Sequence, residues 1–453
     1  MSANHKPAPP ASDVSPRVGL VGLVVLIGWI ALCRAWPQVV DLFGLDSPRE
    51  RMSGPYAALL AMVLTGAAMA AWSIMVEKVH RHPATGIDWD NPRPLHTALD
   101  TAFTKLAGLW LTWAAIAAFY CLGRWYWSGQ YEFSMRIIAT AAVPLFLLSV
   151  PYLMWLDRVL IQPRDQSWHF GAMLIGREAW DADQVKRHCR AWGIKAFFTA
   201  FMISILPPGF ANVVNADIGT VVHDPVLVGR TLIELLFVID VQIGTVGYIL
   251  TFRPLNAHIR SGNPFLAGWV AALLCYPPVV YGFMGQGGIL QYEYNTADWA
   301  YWLGGHTALL WVWAMWLVFL TGIYAWATFA FGIRFSNLTY RGVLTNGPYR
   351  YTRHPAYLSK NTFWWFSGLP FLVTNGSLVD MVRNTVFMAC VSGIYYWRAR
   401  TEEAHLLAED PKYREYHAWM TQHGLVTSRL HQLWQRVGQR GRPRLNPALQ
   451  PAE

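Results

Sequence analysis

Between Gly347 and Ser359 the chain reads GPYRYTRHPAYLS, and further on it reads RARTEEAHLLAED. These two stretches hold the residue types that could do chemistry. Asn346-Gly347 supplies a positive-φ turn and Pro348 fixes the next dihedral. Pro355 suits the first turn of a following helix, where its missing N–H would have had no partner. His354 then stands at or near the cap, beside unpaired N–H groups and the positive end of the helix dipole. With Arg350 and Arg353 alongside, this makes an anion site. In the second stretch Arg398 precedes Glu402 by one helical turn, which ties one glutamate to the helix surface and leaves the other free. Brought face to face and lined by Tyr349, Tyr351 and Tyr357, the two stretches would suit a zwitterion, or a cation beside aromatic rings.

Each piece also has a plainer reading. Arg334 and Arg341 are expected on a basic loop from topology alone. A histidine before a proline is commonly a helix cap, and paired glutamates beside arginines are commonly a solvated face. The tripeptide itself proves little, since Arg81-His82-Pro83 repeats it without the upstream turn or a downstream Glu-Glu. What singles out the second copy is the order: polar loop, short apolar hairpin (Thr362 to Thr374 and Met381 to Trp397), charged helix.

The elements that position these residues belong in a membrane. Hydrophobic residues make up 54% of the chain and charged residues only 14%, against roughly 25% in soluble domains. Apolar runs such as Pro55 to Val76, Phe103 to Gly123, Thr231 to Phe252 and Ala300 to Phe331 reach the roughly 20 residues a hydrocarbon core requires. Spans are expected near Val25, Val63, Ala114, Leu148, Phe201, Ile239, Leu274, Ala314, Phe366 and Ala389, so the fold class is an all-α, polytopic integral membrane protein with about ten transmembrane helices. Tryptophans such as Trp36, Trp125, Trp127, Trp155 and Trp299 flank the runs as interfacial anchors. The run Val18 to Leu32 reads as a retained anchor, because CRAWPQ follows it in place of a small-residue cleavage site.

The formal charge is +9, and its distribution decides its meaning. Lysine and arginine gather in the loops after the second, fourth, sixth and eighth spans and in the C-terminal tail, the sixth carrying the fewest. This positive-inside pattern puts both termini in the cytoplasm, in a bacterial inner membrane, and excludes a nucleic-acid footprint. The five cysteines, with no C-x-x-C spacing, indicate neither a disulfide framework nor a metal site. Within the polar insertion Ile161 to Lys195, Val185, Cys189 and Trp192 lie at helical spacing opposite basic residues, which predicts an interfacial helix. His306, Glu234 and Asp240 fall within spans, where ionisable groups are functional suspects. The organisation reads as a disordered cytoplasmic tail (1–17), an N-terminal multi-span region of unknown role (18–295), a C-terminal core (296–425) and a basic, proline-rich cytoplasmic tail (426–453).

The pattern G-x-Y-x-x-x-R-H-P-x-Y, a membrane hairpin, R-x-x-x-E-E-x-x-L and a Y-x-x-Y pair resembles the isoprenylcysteine carboxyl methyltransferases and their phospholipid-methyltransferase relatives. Here it comprises Gly347, Tyr349, Arg353, His354, Pro355 and Tyr357, then Arg398, Glu402, Glu403, Leu406, Tyr413 and Tyr416. Two positions depart from it: Ser359-Lys360-Asn361 replaces a glycine, and Asp410-Pro411 replaces a glycine before Tyr413. The resemblance implies a methyltransferase-like helical core that holds S-adenosylmethionine at the cytoplasmic edge. Tyr349, His354, Pro355, Glu402 and Glu403 would bind the cofactor, His354 and nearby backbone donors taking its carboxylate and a glutamate its ammonium or ribose. Arg353, or Arg398 or Arg400 across the gap, would orient an anionic acceptor, and Tyr357 or a glutamate would serve as base for an amine or phenol. The acceptor would be lipid-embedded: a prenylated or lipid carboxylate, or a lipid headgroup. The competing expectations are a membrane sterol or steroid reductase using NADPH, and a transporter or scaffold that keeps a degenerate enzyme module.

Overall fold

The computed structural model describes residues 8–176 and 179–440; the ends of both expected tails, 1–7 and 441–453, lie outside them. Long helices dominate: α1 (Pro16–Arg34), α2 (Pro55–Met75), α3 (Leu95–Leu122), α4 (Tyr131–Val159), α5 (Gln166–Leu174), α6 (Ala182–Ser204), α7 (Leu206–Asn215) and α8 (Pro225–Ile249). They are followed by α9 (Leu266–Leu273), α10 (Val279–Phe283), α11 (Thr307–Phe331), α12 (Pro355–Gly368), α13 (Leu378–Glu409), α14 (Pro411–His423) and α15 (Thr427–Arg440). Their starts follow from local chemistry. Ser15, Asp181, Asp224, Ser377 and Asp410 cap α1, α6, α8, α13 and α14 by accepting from first-turn N–H groups. Pro16, Pro225, Pro355 and Pro411 occupy first helical positions. The Asp410-Pro411 departure is thus a cap and first-turn proline for α14.

Six stretches among the described residues are long and apolar enough to cross a membrane: α1, α2, α3, α4, the α6–α7 pair and α11 with the turn after it. The chain is an all-α membrane protein. The expected seventh span, near Leu274, is not a continuous helix, because α9 has only eight residues and α10 five. Its ends nevertheless lie far apart. Ser261 Oγ is 2.9 Å from His405 Nε2 at one end of α13, while at the other Asn384 Nδ2 donates to the Tyr294 carbonyl at 2.8 Å. Residues 384 to 405 of α13 cover about 32 Å of helix rise, so the broken segment runs the length of that helix.

Three other expectations are corrected. The basic stretch DADQVKRHCRAW is the cap and opening turns of α6, continuous with the apolar helix, rather than a separate interfacial helix. The last span and the charged helix are one 32-residue helix, α13. Residues 8–15 are not a free tail, because Asp13 N donates to the Val343 carbonyl at 2.8 Å and Thr345 Oγ1 to that of Pro10 at 2.8 Å.

α8, α11 and α12 pack side by side at the centre, with α1 and α2 flanking α8. Small residues allow the closest approaches: a Cβ at Gly19 of α1 would lie 1.8 Å from the Phe329 carbonyl oxygen of α11. After α11, a two-residue strand β2 (Thr339–Tyr340) pairs antiparallel with β1 (Ser261–Gly262). Arg341 pins this loop from inside. Its buried guanidinium donates to the carbonyls of Gly247 at 2.8 Å, Ile333 at 2.8 Å, Phe335 at 3.0 Å and Leu250 at 3.2 Å, and also to that of Ala257. Carbonyl dipoles thereby replace the hydration that a buried cation loses.

Candidate functional site

The loop after α11, the RHP turn, α12, α13 and α14 enclose a cavity whose empty volume, open mouth included, is about 1270 Å³. A third of the wall is aromatic, with Tyr349, Tyr357, Tyr395, Tyr413 and Tyr416 among its residues.

His354 takes the expected cap position of α12, but no side chain caps that helix. Its ring turns instead to α13, where Nε2 lies 2.9 Å from Glu403 Oε1. The same oxygen lies 2.8 Å from Arg353 Nε. That Arg353 N–H makes no directed hydrogen bond, so the contact is one of charge. Glu403 Oε2 accepts from Arg400 Nη1 at 2.7 Å and has His417 Nε2 at 3.9 Å. The Glu403 side chain is 3% exposed. Burial pushes its carboxyl up, but the hydrogen bond from His354 and the charges of His354, Arg353 and His417 outweigh it and hold the group at about 2. Both its oxygens are engaged, which makes Glu403 the brace between loop and helix.

Glu402 points elsewhere, because adjacent helical residues diverge by about 100°. Its Oε1 accepts from Tyr357 Oη at 2.5 Å and has Arg398 Nε at 3.3 Å, the one-turn spacing read from the sequence. No partner holds its second oxygen among the described residues. Arg398 is buried: Nη2 donates to Asn337 Oδ1 at 2.7 Å, both terminal nitrogens lie 3.4 Å from Tyr276 Oη, and the guanidinium lies 5.1 Å from the centre of the Tyr357 ring. Tyr349 lies edge-on to Phe331 at 5.2 Å, and its carbonyl accepts from Tyr416 Oη at 2.6 Å. Pro355 is buried at the first position of α12.

The structure therefore brings Tyr349, Arg353, His354, Pro355, Tyr357, Arg398, Glu402 and Glu403 together. Arg350 and Tyr351 are exposed and absent from the cavity wall, so Tyr351 drops out of the expected aromatic lining. The other RHP copy is a plain cap, His82 Nδ1 accepting from the Ala84 N–H at 3.1 Å. His306 is exposed at the start of α11, and Glu234 accepts from Asn212 Nδ2 at 2.6 Å. Asp240 accepts from Thr328 Oγ1.

Sequence reasoning missed Tyr276, Asn337, Tyr324 and Lys360 as members of the wall. For Lys360 a signal existed, because it lies in the triplet that departs from the glycine-containing pattern. The other three lie in stretches without a motif.

Residues 302–420 match a family described as "Protein of unknown function (DUF1295)". That family is related to steroid 5-alpha reductase and methyltransferase-like membrane proteins. No curated protein and no solved structure matches the chain.

Proposed function

We propose that the protein is an integral-membrane methyltransferase that moves a methyl group from S-adenosylmethionine to a lipid-embedded acceptor. One observation carries the reading: the side-chain-uncapped N-terminus of α12 and the unpartnered oxygen of Glu402 belong to one aromatic-walled cavity. Unpaired N–H groups at a helix start suit a carboxylate, and a carboxylate oxygen suits an ammonium. Together they suit the two ends of an amino acid.

The donor set fits S-adenosylmethionine on those terms. The first N–H groups of α12 would take its carboxylate, Glu402 its ammonium or ribose, and the rings of Tyr349, Tyr413 and Tyr416 its base. When bound, the cofactor supplies a methyl carbon activated by a sulfonium, which is neutralised as the methyl leaves. The chain's contribution is then orientation and exclusion of water, since alignment of reacting atoms at about 3 to 3.5 Å recovers much of such a barrier. His354 and Glu403 act one step back, holding the loop on α13. The described arrangement also suits ten crossings, the seventh broken, with the cavity and both termini on the cytoplasmic face of a bacterial inner membrane; the basic loops support that orientation.

A nucleotide reading has one observation in its favour. Arg334, 7% exposed on the cavity wall, makes a single hydrogen bond among the described residues, 3.4 Å to the Arg341 carbonyl, and would suit a phosphate. Calorimetry with the purified full chain separates the two. Heat with S-adenosylmethionine, and transfer of labelled methyl to membrane extract, supports the methyltransferase; heat with NADPH alone, with reduction of an extracted lipid, replaces it with a reductase.

A further inference from the structure

An anionic acceptor needs a cation in the cavity that the protein has not already used. Arg353 and Arg400 both lie on Glu403, and Arg398 is held by Glu402, Asn337 and Tyr276. Arg341 is spent on backbone carbonyls. Two cations are left: Arg334, in the loop beyond the end of α11, and Lys360, which alone of the two stands among the aromatic rings between α11, α12 and α13. Lys360 lines the cavity from the second turn of α12 and makes no hydrogen bond or ion pair among the described residues. Its Nζ faces three rings, 5.2 Å from the centres of Tyr324 and Trp364 and 5.9 Å from that of Tyr395.

Three aromatic faces stabilise an ammonium by cation–π attraction, yet leave its three N–H donors without acceptors. In an apolar layer that deficit is costly, and such residues mark the path of a ligand. Asp240, whose carboxylate accepts from Thr328, attracts Lys360 through charge but makes no hydrogen bond or ion pair with it among the described residues, so the N–H donors stay without an acceptor. The depth is also informative. Tyr324, against which Lys360 packs, precedes the end of α11 by seven residues, about 10 Å of helix rise. A group reaching Lys360 has therefore passed below the loop that holds the RHP turn.

We propose that Lys360 is the specificity-determining cation of the cavity, seating the oxyanion of an amphipathic lipid, a carboxylate or a phosphate, against the aromatic floor. This rests on the reading of the cavity as an acceptor site, with the oxyanion as the group methylated or its immediate neighbour. For a carboxylate acceptor, an oxygen lone pair forms the new C–O bond while the C–S bond breaks and its electron pair stays on sulfur. No proton moves.

Binding is measured on the full chain in nanodiscs of neutral lipid, without cofactor, using oleate, dioleoyl phosphatidic acid, and the neutral controls methyl oleate and dioleoylglycerol. Wild type is expected to prefer one or both anions over the matched neutral lipid by about tenfold or more, the worth of a charge-assisted hydrogen bond. Preference for oleate alone names a carboxylate, and for phosphatidic acid alone a phosphate. Lys360→Arg should keep the preference and Lys360→Met should lose it while still binding neutral lipid. Equal binding of anionic and neutral lipid by wild type, or an unchanged preference in Lys360→Met, overturns the proposal. Should the methionine variant fail to fold, photoactivatable oleate on wild type decides: labelling of α11 and α12 that its methyl ester does not reproduce supports Lys360, and equal labelling sinks it. Anion-selective binding without any labelled methyl transfer would remove the methyltransferase reading and leave the Lys360 site standing.

Discussion

His354 and Glu403, 49 residues apart in the chain, meet at 2.9 Å and join the RHP turn to α13. The contact fixes the geometry of the whole cavity, because the turn carries the start of α12 and the helix carries Arg398 and Glu402. It also divides the labour of the two glutamates. Glu403 is saturated by protein cations, whereas Glu402 has one oxygen without a partner among the described residues.

Glu403→Gln and Glu402→Gln should consequently fail in different ways. Removing the Glu403 charge leaves Arg353, Arg400 and His354 converging on a neutral amide, a loss of order 3 kcal/mol for a buried partner. A marked fall in melting temperature is expected, with cofactor binding lost as a consequence. Glu402→Gln keeps the brace, so its melting temperature should stay near wild type while S-adenosylmethionine affinity drops about tenfold or more. Thermal unfolding and calorimetry on both variants check this; an unaltered melting temperature in Glu403→Gln would remove the brace.

Acid should destabilise the protein in two windows. His405 lies on the charged part of α13 beyond Trp397, with its ring bonded to Ser261 Oγ at 2.9 Å. Burial, with Arg190 and Arg187 adding and Glu409 opposing, pushes it down to about 4. His258 is pushed to about 3 by burial and by Arg253, Arg260, Arg341 and Arg334. Both stay neutral when folded but take a proton near 6.5 when unfolded. Their contribution is therefore complete above pH 6.5 and drains as pH falls toward 4 for His405 and toward 3 for His258, by up to about 3 and about 5 kcal/mol. Glu403 behaves as a depressed carboxylate, and its contribution is lost between about 4.5 and 2. Melting temperature against pH should show both descents, and His405→Gln should flatten only the upper one.

Glycine at 247 should prove irreplaceable for a reason of packing. A Cβ there would stand 2.3 Å from the Phe335 carbonyl oxygen, which accepts one of the Arg341 hydrogen bonds. Gly247→Ala must push the loop off α8 and is expected to lower stability by about 2 kcal/mol or more. At Gly322 a Cβ would meet nothing within 4 Å, so Gly322→Ala should be neutral or slightly stabilising. Denaturation of the two variants side by side tests the packing, and equal midpoints would refute it.

The sequence was most legible where a relationship is local. Pro355 at the start of α12 and the Arg398–Glu402 pair at one-turn spacing follow from helix geometry alone. That one glutamate would be tied and the other free was half right: both are tied, because the turn that engages Glu403 comes from far away in the chain. Long-range partners had no sequence signal. Tyr276 and Asn337 reach Arg398 from segments without a motif. The segment near Leu274 reads as a spanning helix because apolar composition reports burial in lipid, whereas helix length depends on breakers such as Pro277-Pro278 between α9 and α10. Lys360 counted as loop charge because nothing local shows that three rings from α11, α12 and α13 enclose it.

The segment before α1 should contribute to the site although it is distant from it in sequence. Asp13 accepts from the Val343 N–H at 2.8 Å and from Lys412 Nζ, binding the chain's start, the loop after α11 and α14 in one contact. Burial raises the Asp13 carboxyl, but the Lys412 hydrogen bond and charge, with the Val343 N–H, hold it below its usual range. Both side chains keep some exposure, 24% and 31%, so the pair itself is worth about 0.5–1 kcal/mol. Asp13→Ala should cost more than Lys412→Ala, because it also frees the Val343 N–H. A double-mutant cycle on unfolding free energy should return a coupling of about that size, whereas residues without contact would add to within about 0.3–0.5 kcal/mol. In the same variants S-adenosylmethionine affinity should weaken with Asp13→Ala, since the loop it holds forms one wall of the cavity. Strict additivity together with unchanged affinity would show that the N-terminal strap rests on the loop without holding it.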